Sequence, residues 1–190
     1  MKLSIIMPVY NESKTLKEVV EKVEGVIIPR YKKELIIVDD FSTDNTPDII
    51  KKLQKKYKNI KSFRHKKNLG KGAAIRTAIK NISGDLVIIQ DADLEYNPQD
   101  IVLLVNSIAK KKYDVIYGSR KLKKENKYSY ITYYLGDMLL NKLTNFLYKI
   151  KLTDMETCYK LIPAKTIREI NLVSDRFDIE PEITAKIARK

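Results

Sequence analysis

The sequence predicts a single α/β domain built on an open, largely parallel sheet. Three observations carry that expectation. Short runs of Leu, Ile and Val alternate with helix-length stretches, the pattern that successive βαβ units produce. The strand runs are continuously apolar rather than alternating, as strands covered on both faces are. Several of them stop on acidic or amide side chains, and open α/β sheets bind ligands beyond the carboxyl ends of their strands.

Taken in order, residues 3–9 (Leu-Ser-Ile-Ile-Met-Pro-Val) form a first strand ending near Pro8. Asn11 and Ser13 are N-cap candidates for a helix over about 15–26. Leu35, Ile36, Ile37 and Val38 make a second strand that stops at Asp39 and Asp40. Ser42, Thr43 and Asp44 then offer caps, and Pro47 suits the first turn of a helix reaching about residue 57. A third strand covers 60–64. The Asn68-Leu69-Gly70-Lys71-Gly72 loop opens a helix in which Ala74, Ala78 and Ile75, Ile79 recur at helical spacing. Gly84 ends that unit, and 86–90 is the fourth strand. Asn97 and Pro98 open a helix to about residue 111, 114–118 is a fifth strand, and 182–190 is a closing helical run. No repeat, low-complexity tract or linker divides the chain.

Composition narrows the class. At 190 residues and 44% hydrophobic, the chain can bury a core, which excludes disorder throughout. Its one cysteine, Cys158, excludes an internal disulfide framework and fits a reducing compartment. No apolar run approaches the roughly 18–20 residues of a membrane span, and Pro8 breaks the N-terminal run too soon for a signal peptide. Lys and Arg number 37 against 24 Asp and Glu, a net charge of +13. Residues 51–80 hold twelve of the basic residues and no acid. Such a window is either a pair of solvated helix faces or a surface for nucleic acid, anionic lipid or phosphorylated substrates.

The acids sit elsewhere. Tyr10-Asn11-Glu12 follows the first strand, Asp39-Asp40 the second and Asp91-Ala92-Asp93 the fourth. Asp91 and Asp93 flank a small residue, so both can approach one hard cation, with Glu95 as a third oxygen ligand. Mg²⁺ or Mn²⁺, held by few carboxylates and completed by substrate phosphates, suits that donor set. The alternative is a polar turn capping the next helix.

These motifs together resemble family 2 glycosyltransferases. The resemblance rests on residues 4–12 (Ser-Ile-Ile-Met-Pro-Val-Tyr-Asn-Glu), 38–46, 68–74 and 90–93, in that order and spacing. It covers essentially the whole chain and implies the GT-A nucleotide-diphosphate-sugar fold. Tyr117-Gly118-Ser119-Arg120 and 153–160 make the sequence most similar to the polyprenyl-phosphate sugar transferases, the dolichol-phosphate mannose synthase group.

The resemblance implies that Pro8, Tyr10, Glu12, Val38 and Asp40 line the base and ribose. Strand alternation independently puts Ile36, Val38 and Asp40 on one face and Asp39 on the other, making Asp40 the base contact and Asp39 its structural partner. Asp91 and Asp93, around Ala92, correspond to the family's metal motif and bridge the diphosphate through a cation. Glu95 stands where related enzymes often have Gln, adding charge beside the metal. Arg120 matches a phosphate-contacting arginine, whose fork suits bidentate contact. Lys71, at a Gly-flanked helix start, is a further phosphate candidate.

Asp154 and Glu156 remain open between a general base for a hydroxyl nucleophile, positioning of the acceptor, and capping of a following helix. Lys160 aligns with a basic position and is expected to meet the acceptor phosphate. The segment 121–151 interleaves Tyr128, Tyr130, Tyr133, Tyr134 and Tyr148 with Leu135, Met138, Leu139, Leu143, Phe146 and Leu147, among lysines at 121, 123, 124, 127, 142, 149 and 151. It reads either as an amphipathic helix in a membrane interface or as a core-facing helix. His65, without metal-ligand spacing, is expected at the surface. Cys158 is expected to pack as a small apolar group. Gly70 and Gly72 lack the third glycine of a dinucleotide fingerprint.

The expectation is therefore an inverting, metal-dependent transfer of a hexose from a nucleotide-diphosphate sugar to a polyprenyl phosphate. The protein would be cytoplasmic and peripheral at the inner face of the membrane. Transfer to a saccharide hydroxyl is the near alternative. Nucleic-acid binding is the remote one, opposed by the acidic strand ends and by the lack of a helix-turn-helix or zinc signature. Relatives usually continue past residue 190, so 1–190 reads as a single catalytic domain of a longer protein or as a truncated one.

Overall fold

A computed structural model describes residues 1–109, 114–122 and 131–190. In chain order the elements are β1 (Lys2–Val9), α1 (Leu16–Gly25), β2 (Lys32–Asp39), α2 (Thr46–Lys56), β3 (Ile60–Arg64), α3 (Lys71–Ile79), β4 (Leu86–Ile89), α4 (Asp100–Ala109), β5 (Ile116–Tyr117), α5 (Ile131–Tyr148), β6 (Lys160–Pro163), α6 (Ala164–Glu169) and α7 (Ile179–Ala188). The six strands lie in the order β3-β2-β1-β4-β6-β5. The first four are mutually parallel, and β6 is antiparallel to both neighbours.

The register explains where a site can form. Pro8 pairs with Val38, Val9 with Asp39, and Ile6 with Ile89, so β1, β2 and β4 end side by side. Their interiors are fully buried: Ile5, Ile6, Ile36, Ile37 and Ile88 have no exposed surface, which removes any freedom of register. At the opposite end the sheet is closed by a buried carboxylate. Glu34 accepts hydrogen bonds from Ser4 Oγ at 2.6 Å and Ser83 Oγ at 2.7 Å and pairs with Lys2 at 2.8 Å. Burial works against its charge, but these partners hold its pKa well below the carboxylate range.

Several expectations need correction. Neither Asn11 nor Ser13 caps α1, whose N-cap is Thr15. Asn11 is instead in the left-handed region (φ 56°), and its Oδ1 accepts from Thr43 N–H at 2.8 Å. Ser13 N–H donates to Asp44 Oδ2, Asn11 N–H to Ser42 Oγ, and Glu12 N–H to Thr46 Oγ1. The polar residues read as caps thus stitch the loop after β1 to the loop after β2. The fifth strand has only two residues, and β6 and α6 were not foreseen. A run of only Leu161 and Ile162 between Lys160 and Pro163 carries too short an apolar signal.

Candidate active site

The joint carboxyl ends of β1, β2 and β4 form a cleft of about 380 Å³. Eight of the ten residues expected to hold a nucleotide sugar line it: Pro8, Tyr10, Glu12, Asp40, Lys71, Asp91, Ala92 and Asp93. Val38 and Arg120 are not among its lining residues. Val38 is fully buried, between Pro8 and Phe63 in the sheet, and supports the floor from beneath.

Asp39 and Asp40 are both buried. Asp39 accepts from Ser42 N–H at 2.8 Å and pairs with Arg64 Nε at 3.1 Å, the structural role expected of it. Asp40, expected to contact the base, is closely engaged within the chain. Its Oδ1 lies 2.6 Å from His65 Nδ1 and accepts from Leu69 N–H at 2.9 Å, while Oδ2 accepts from Gly70 N–H at 2.7 Å. Asp40 thus fixes the loop that forms one wall of the cleft. His65 is not a surface residue: its side chain is 9% exposed, and its Nε2 lies 2.9 Å from Thr77 Oγ1 on α3. Nothing in the spacing of His65 could have indicated this, since both partners are distant in sequence.

The end of β4 is built differently. Gln90 is buried, accepts a short hydrogen bond from the Tyr159 hydroxyl, and donates to the Asp91 carbonyl at 2.9 Å. Tyr159 stacks on Tyr96 with ring centroids 4.6 Å apart, and Tyr96 accepts from Cys158 N–H. Cys158 itself is buried and packs as expected. On this brace, Asp91 remains partly open to the cleft and Asp93 is exposed. Asp93 accepts from Glu95 N–H at 3.0 Å. Partial desolvation and repulsion by Asp91 raise the Asp93 pKa; desolvation and repulsion by Asp93 raise that of Glu95. Among the described residues no three His, Cys, Asp or Glu side chains converge to hold a metal ion, so Glu95 does not complete a preformed triad. Asp91 and Asp93 alone offer a pair of hard oxygen donors of the kind that Mg²⁺ or Mn²⁺ takes together with substrate phosphates.

Lys71 does not point its charge freely at the cleft. Its Nζ lies 2.8 Å from Asp91 Oδ1, 2.9 Å from Asp91 Oδ2 and 3.3 Å from Glu180 Oε1. Burial works against its charge, but these two carboxylates raise its pKa and keep it protonated. Glu180, on α7, also pairs with Lys160 Nζ at 2.5 Å. Lys160 is fully buried, donates to the Thr157 carbonyl and lies 5.3 Å from the Tyr117 ring. An acceptor phosphate therefore has no access to Lys160, which corrects that expectation. The alternating chain Asp91–Lys71–Glu180–Lys160 underlies the cleft, and Glu180 was missed because it follows no motif.

Arg120 binds Asp154 with three donors, backbone N–H, Nε and Nη2, each at 2.9 Å. The Asp154 side chain is fully buried. Burial would lift its pKa, but the Arg120 hydrogen bonds and charge lower it. Glu156 is half-buried in the same segment, which runs into β6. Helix capping by either acid is thereby excluded. Sequence reading also missed Asn68, Gly70, Arg176 and Phe177 as lining residues.

Helix α5 presents an inverted face. Asn141, buried, accepts from Met155 N–H at 2.8 Å, and Asn145 exchanges hydrogen bonds with Leu152 N–H and C=O. Leu139, Leu143, Phe146 and Leu147, spaced i, i+4, i+7 and i+8, are 67%, 50%, 81% and 60% exposed. The stripe expected either at an interface or in the core is thus outside. Lys123, Lys124, Lys127, Tyr128 and Tyr130 lie outside the described residues, and the side chains of Tyr133, Tyr134 and Leu135 are not described. No described helix is long and apolar enough to cross a membrane.

Known proteins resemble this chain in sequence and in fold. The chain is 26% identical over 190 residues to a dodecaprenyl-phosphate galacturonate synthase of Rhizobium johnstonii, covering 98% of this chain and 55% of that one. It is 35% identical over 123 residues to a dolichol-phosphate mannosyltransferase of Pyrococcus furiosus, covering 65% and 34%. The chain thus spans about half or less of the length of these relatives. The glucosyl-3-phosphoglycerate synthase of Mycobacterium tuberculosis, solved with Mn²⁺, UDP-glucose and phosphoglyceric acid, superposes with a TM-score of 0.70 at 18% identity, covering 94% and 62%. The sheet and its flanking helices are those of the GT-A glycosyltransferases. Residues 4–170, which hold every aspartate of the cleft, match the glycosyl transferase family 2 model, and the chain belongs to that family of glycosyltransferases.

Proposed function

We propose that this glycosyltransferase moves a hexose from a GDP- or UDP-sugar to a polyprenyl phosphate, inverting the anomeric centre, at the cytoplasmic face of a membrane. The observation that carries the reading is the cleft itself, which gathers Pro8, Tyr10, Glu12 and Asp40 with Asp91 and Asp93. Tyr10, 47% exposed, offers an aromatic face to a base, and Glu12 a carboxylate to a ribose. Asp40 would act chiefly by fixing the Leu69–Gly70 wall against which the nucleoside lies.

Asp91 and Asp93 would hold Mg²⁺ or Mn²⁺ together with the donor diphosphate; Mn²⁺ is bound in the Mycobacterium relative of the same fold. When bound, such an ion offsets the charge that builds on the departing nucleotide diphosphate. Lys71 and Gln90 keep Asp91 aimed into the cleft. Arg120, near enough to Glu95 for its charge to offset part of the rise in that residue's pKa, adds positive potential on the same side, with its guanidinium held by Asp154.

The state of Asp154 supports an acceptor that is already an anion. Both its oxygens receive hydrogen bonds from Arg120 and its pKa is lowered, which makes it a poor base. A phosphate oxygen needs none. It forms a bond to the anomeric carbon as the bond to the nucleotide diphosphate breaks, and the electron pair leaves with the diphosphate. The relatives named for dodecaprenyl and dolichol phosphate support the same acceptor class. The outward stripe of α5, with exposed Lys142, Lys149 and Lys151 near it, suits an anionic membrane carrying that lipid.

The test is transfer from a panel of labelled GDP- and UDP-hexoses to a short-chain polyprenyl phosphate with Mn²⁺. A lipid-linked hexose of inverted configuration is expected. Transfer only to saccharide hydroxyls would overturn the acceptor assignment.

A further inference from the structure

Within the cleft read above as the donor site, we infer that Arg176 is the side chain that receives a phosphate group; the inference rests on that reading. Two basic residues line the cleft, Lys71 and Arg176. Lys71 is already neutralised by Asp91 and Glu180. The Arg176 guanidinium has no hydrogen-bond or ion-pair partner among the described residues; its backbone alone is engaged, the N–H donating to Asp178 Oδ1 at 3.2 Å and the carbonyl accepting from Ile179 N–H at 3.3 Å.

The segment that carries Arg176 is firmly tied down. Arg76 of α3 donates to the Val173 and Ser174 carbonyls, each at 2.5 Å, and to Asp175 Oδ1 at 2.6 Å. Ala73 N–H donates to the Asp175 carbonyl at 3.0 Å. From the other side, Glu182 of α7 accepts from the N–H groups of Val173 and Ser174, both at 2.8 Å. Two glycines permit the approach. A Cβ on Gly70, where φ is +100°, would stand 2.3 Å from the Asp175 carbonyl oxygen and 3.0 Å from Arg176 Cγ. A Cβ on Gly72 would stand 2.4 Å from the Ser174 carbonyl oxygen. The strap 173–178 is therefore locked across the start of α3, and the stem of Arg176 lies over Gly70.

Charge gives this placement its meaning. The lining contains four carboxylates, Glu12, Asp40, Asp91 and Asp93, so a phosphate entering it meets a repulsive field. A guanidinium without an internal partner, on a fixed backbone, can turn to that phosphate without breaking any existing ion pair. Its planar fork suits two phosphate oxygens. The phosphate can belong to the donor diphosphate or to the lipid acceptor, and the same side chain would recognise either.

The experiment measures calorimetric binding of UDP and GDP with Mn²⁺, and of uridine and guanosine, to the full chain and its R176A and R176K variants. The KM for a short-chain polyprenyl phosphate is measured in parallel. For a donor contact, R176A weakens the nucleoside diphosphate that the wild type binds by about tenfold or more. It leaves the nucleoside unchanged, and R176K recovers part of the loss. For an acceptor contact, R176A leaves the nucleotide affinity intact and raises the lipid KM by a similar factor. No change in either arm overturns the assignment of Arg176. Failure of the wild type to bind either nucleoside diphosphate overturns the donor-site reading instead, and Arg176 is then judged on the lipid arm alone.

Discussion

Two strands of the sheet end in neighbouring aspartates, and the molecule uses the two pairs in opposite ways. At the end of β2, Asp39 and Asp40 are 2% and 3% exposed, and their oxygens are taken by Ser42, Arg64, His65, Leu69 and Gly70. At the end of β4, Asp91 meets one ammonium group and Asp93 one backbone N–H, and both face the cleft. The first pair shapes a wall; the second keeps lone pairs available to a ligand. Burial and contacts within the chain, rather than residue type, separate the two pairs here.

The sharpest way to break that comparison is Asp93→Ala. Transfer is expected to fall by about 10³-fold, with the urea midpoint unchanged; a loss of folding instead would make the β4 pair structural too. Asp40→Ala should act the other way round. It strands the Leu69 and Gly70 N–H groups and His65, so unfolding free energy should drop by about 2 kcal/mol in urea titration. A variant as stable as the wild type would mean that Asp40 is reserved for a ligand.

Smaller effects sharpen the picture around it. The Glu182 carboxylate, whose pKa is pulled from 4.5 to about 2 by Lys186 and the strap N–H groups despite burial, holds residues 173 and 174. A depressed folded pKa stabilises fully above the unfolded value and is lost as pH falls through the folded one. Glu182→Gln should therefore cost about 1–2 kcal/mol at pH 7, with the gap to the wild type closing between pH 4.5 and 2 in a chemical denaturation series. Phe146→Ser lies on the outward stripe of α5. It should leave stability within about 0.5 kcal/mol while weakening sedimentation with anionic vesicles by about tenfold; equal vesicle binding would remove α5 from the membrane contact.

The sequence was most informative where the chemistry is local. Apolar runs found β1 to β4, and the acids at their ends found most of the cleft, because strand ends and ligand sites coincide in this architecture. What escaped depends on contacts distant in sequence. His65 meets Asp40 and Thr77 only after folding, and Lys160 reads as a contact for the acceptor phosphate until Glu180 is placed beside it. The basic window 51–80 likewise looked uncompensated. In the fold Lys56 pairs with Glu21, Lys61 with Glu34, Arg64 with Asp39, Lys71 with Asp91 and Arg76 with Asp175. Arg176, Phe177 and Glu180 lie beyond residue 170, where the family pattern ends, so no motif marked them.

The strap has a consequence for the order in which the protein becomes competent during synthesis. By the time residue 93 has been added, the chain contains the four strands and the aspartates that define the cleft. Lys71, however, obtains its second counter-charge only from Glu180, and the wall carrying Arg176 is tied down only once Glu182 exists. A nascent chain can thus complete most of its sheet long before it owns a finished cleft. Substrate capture would begin as a late, nearly all-at-once event when α7 leaves the ribosome.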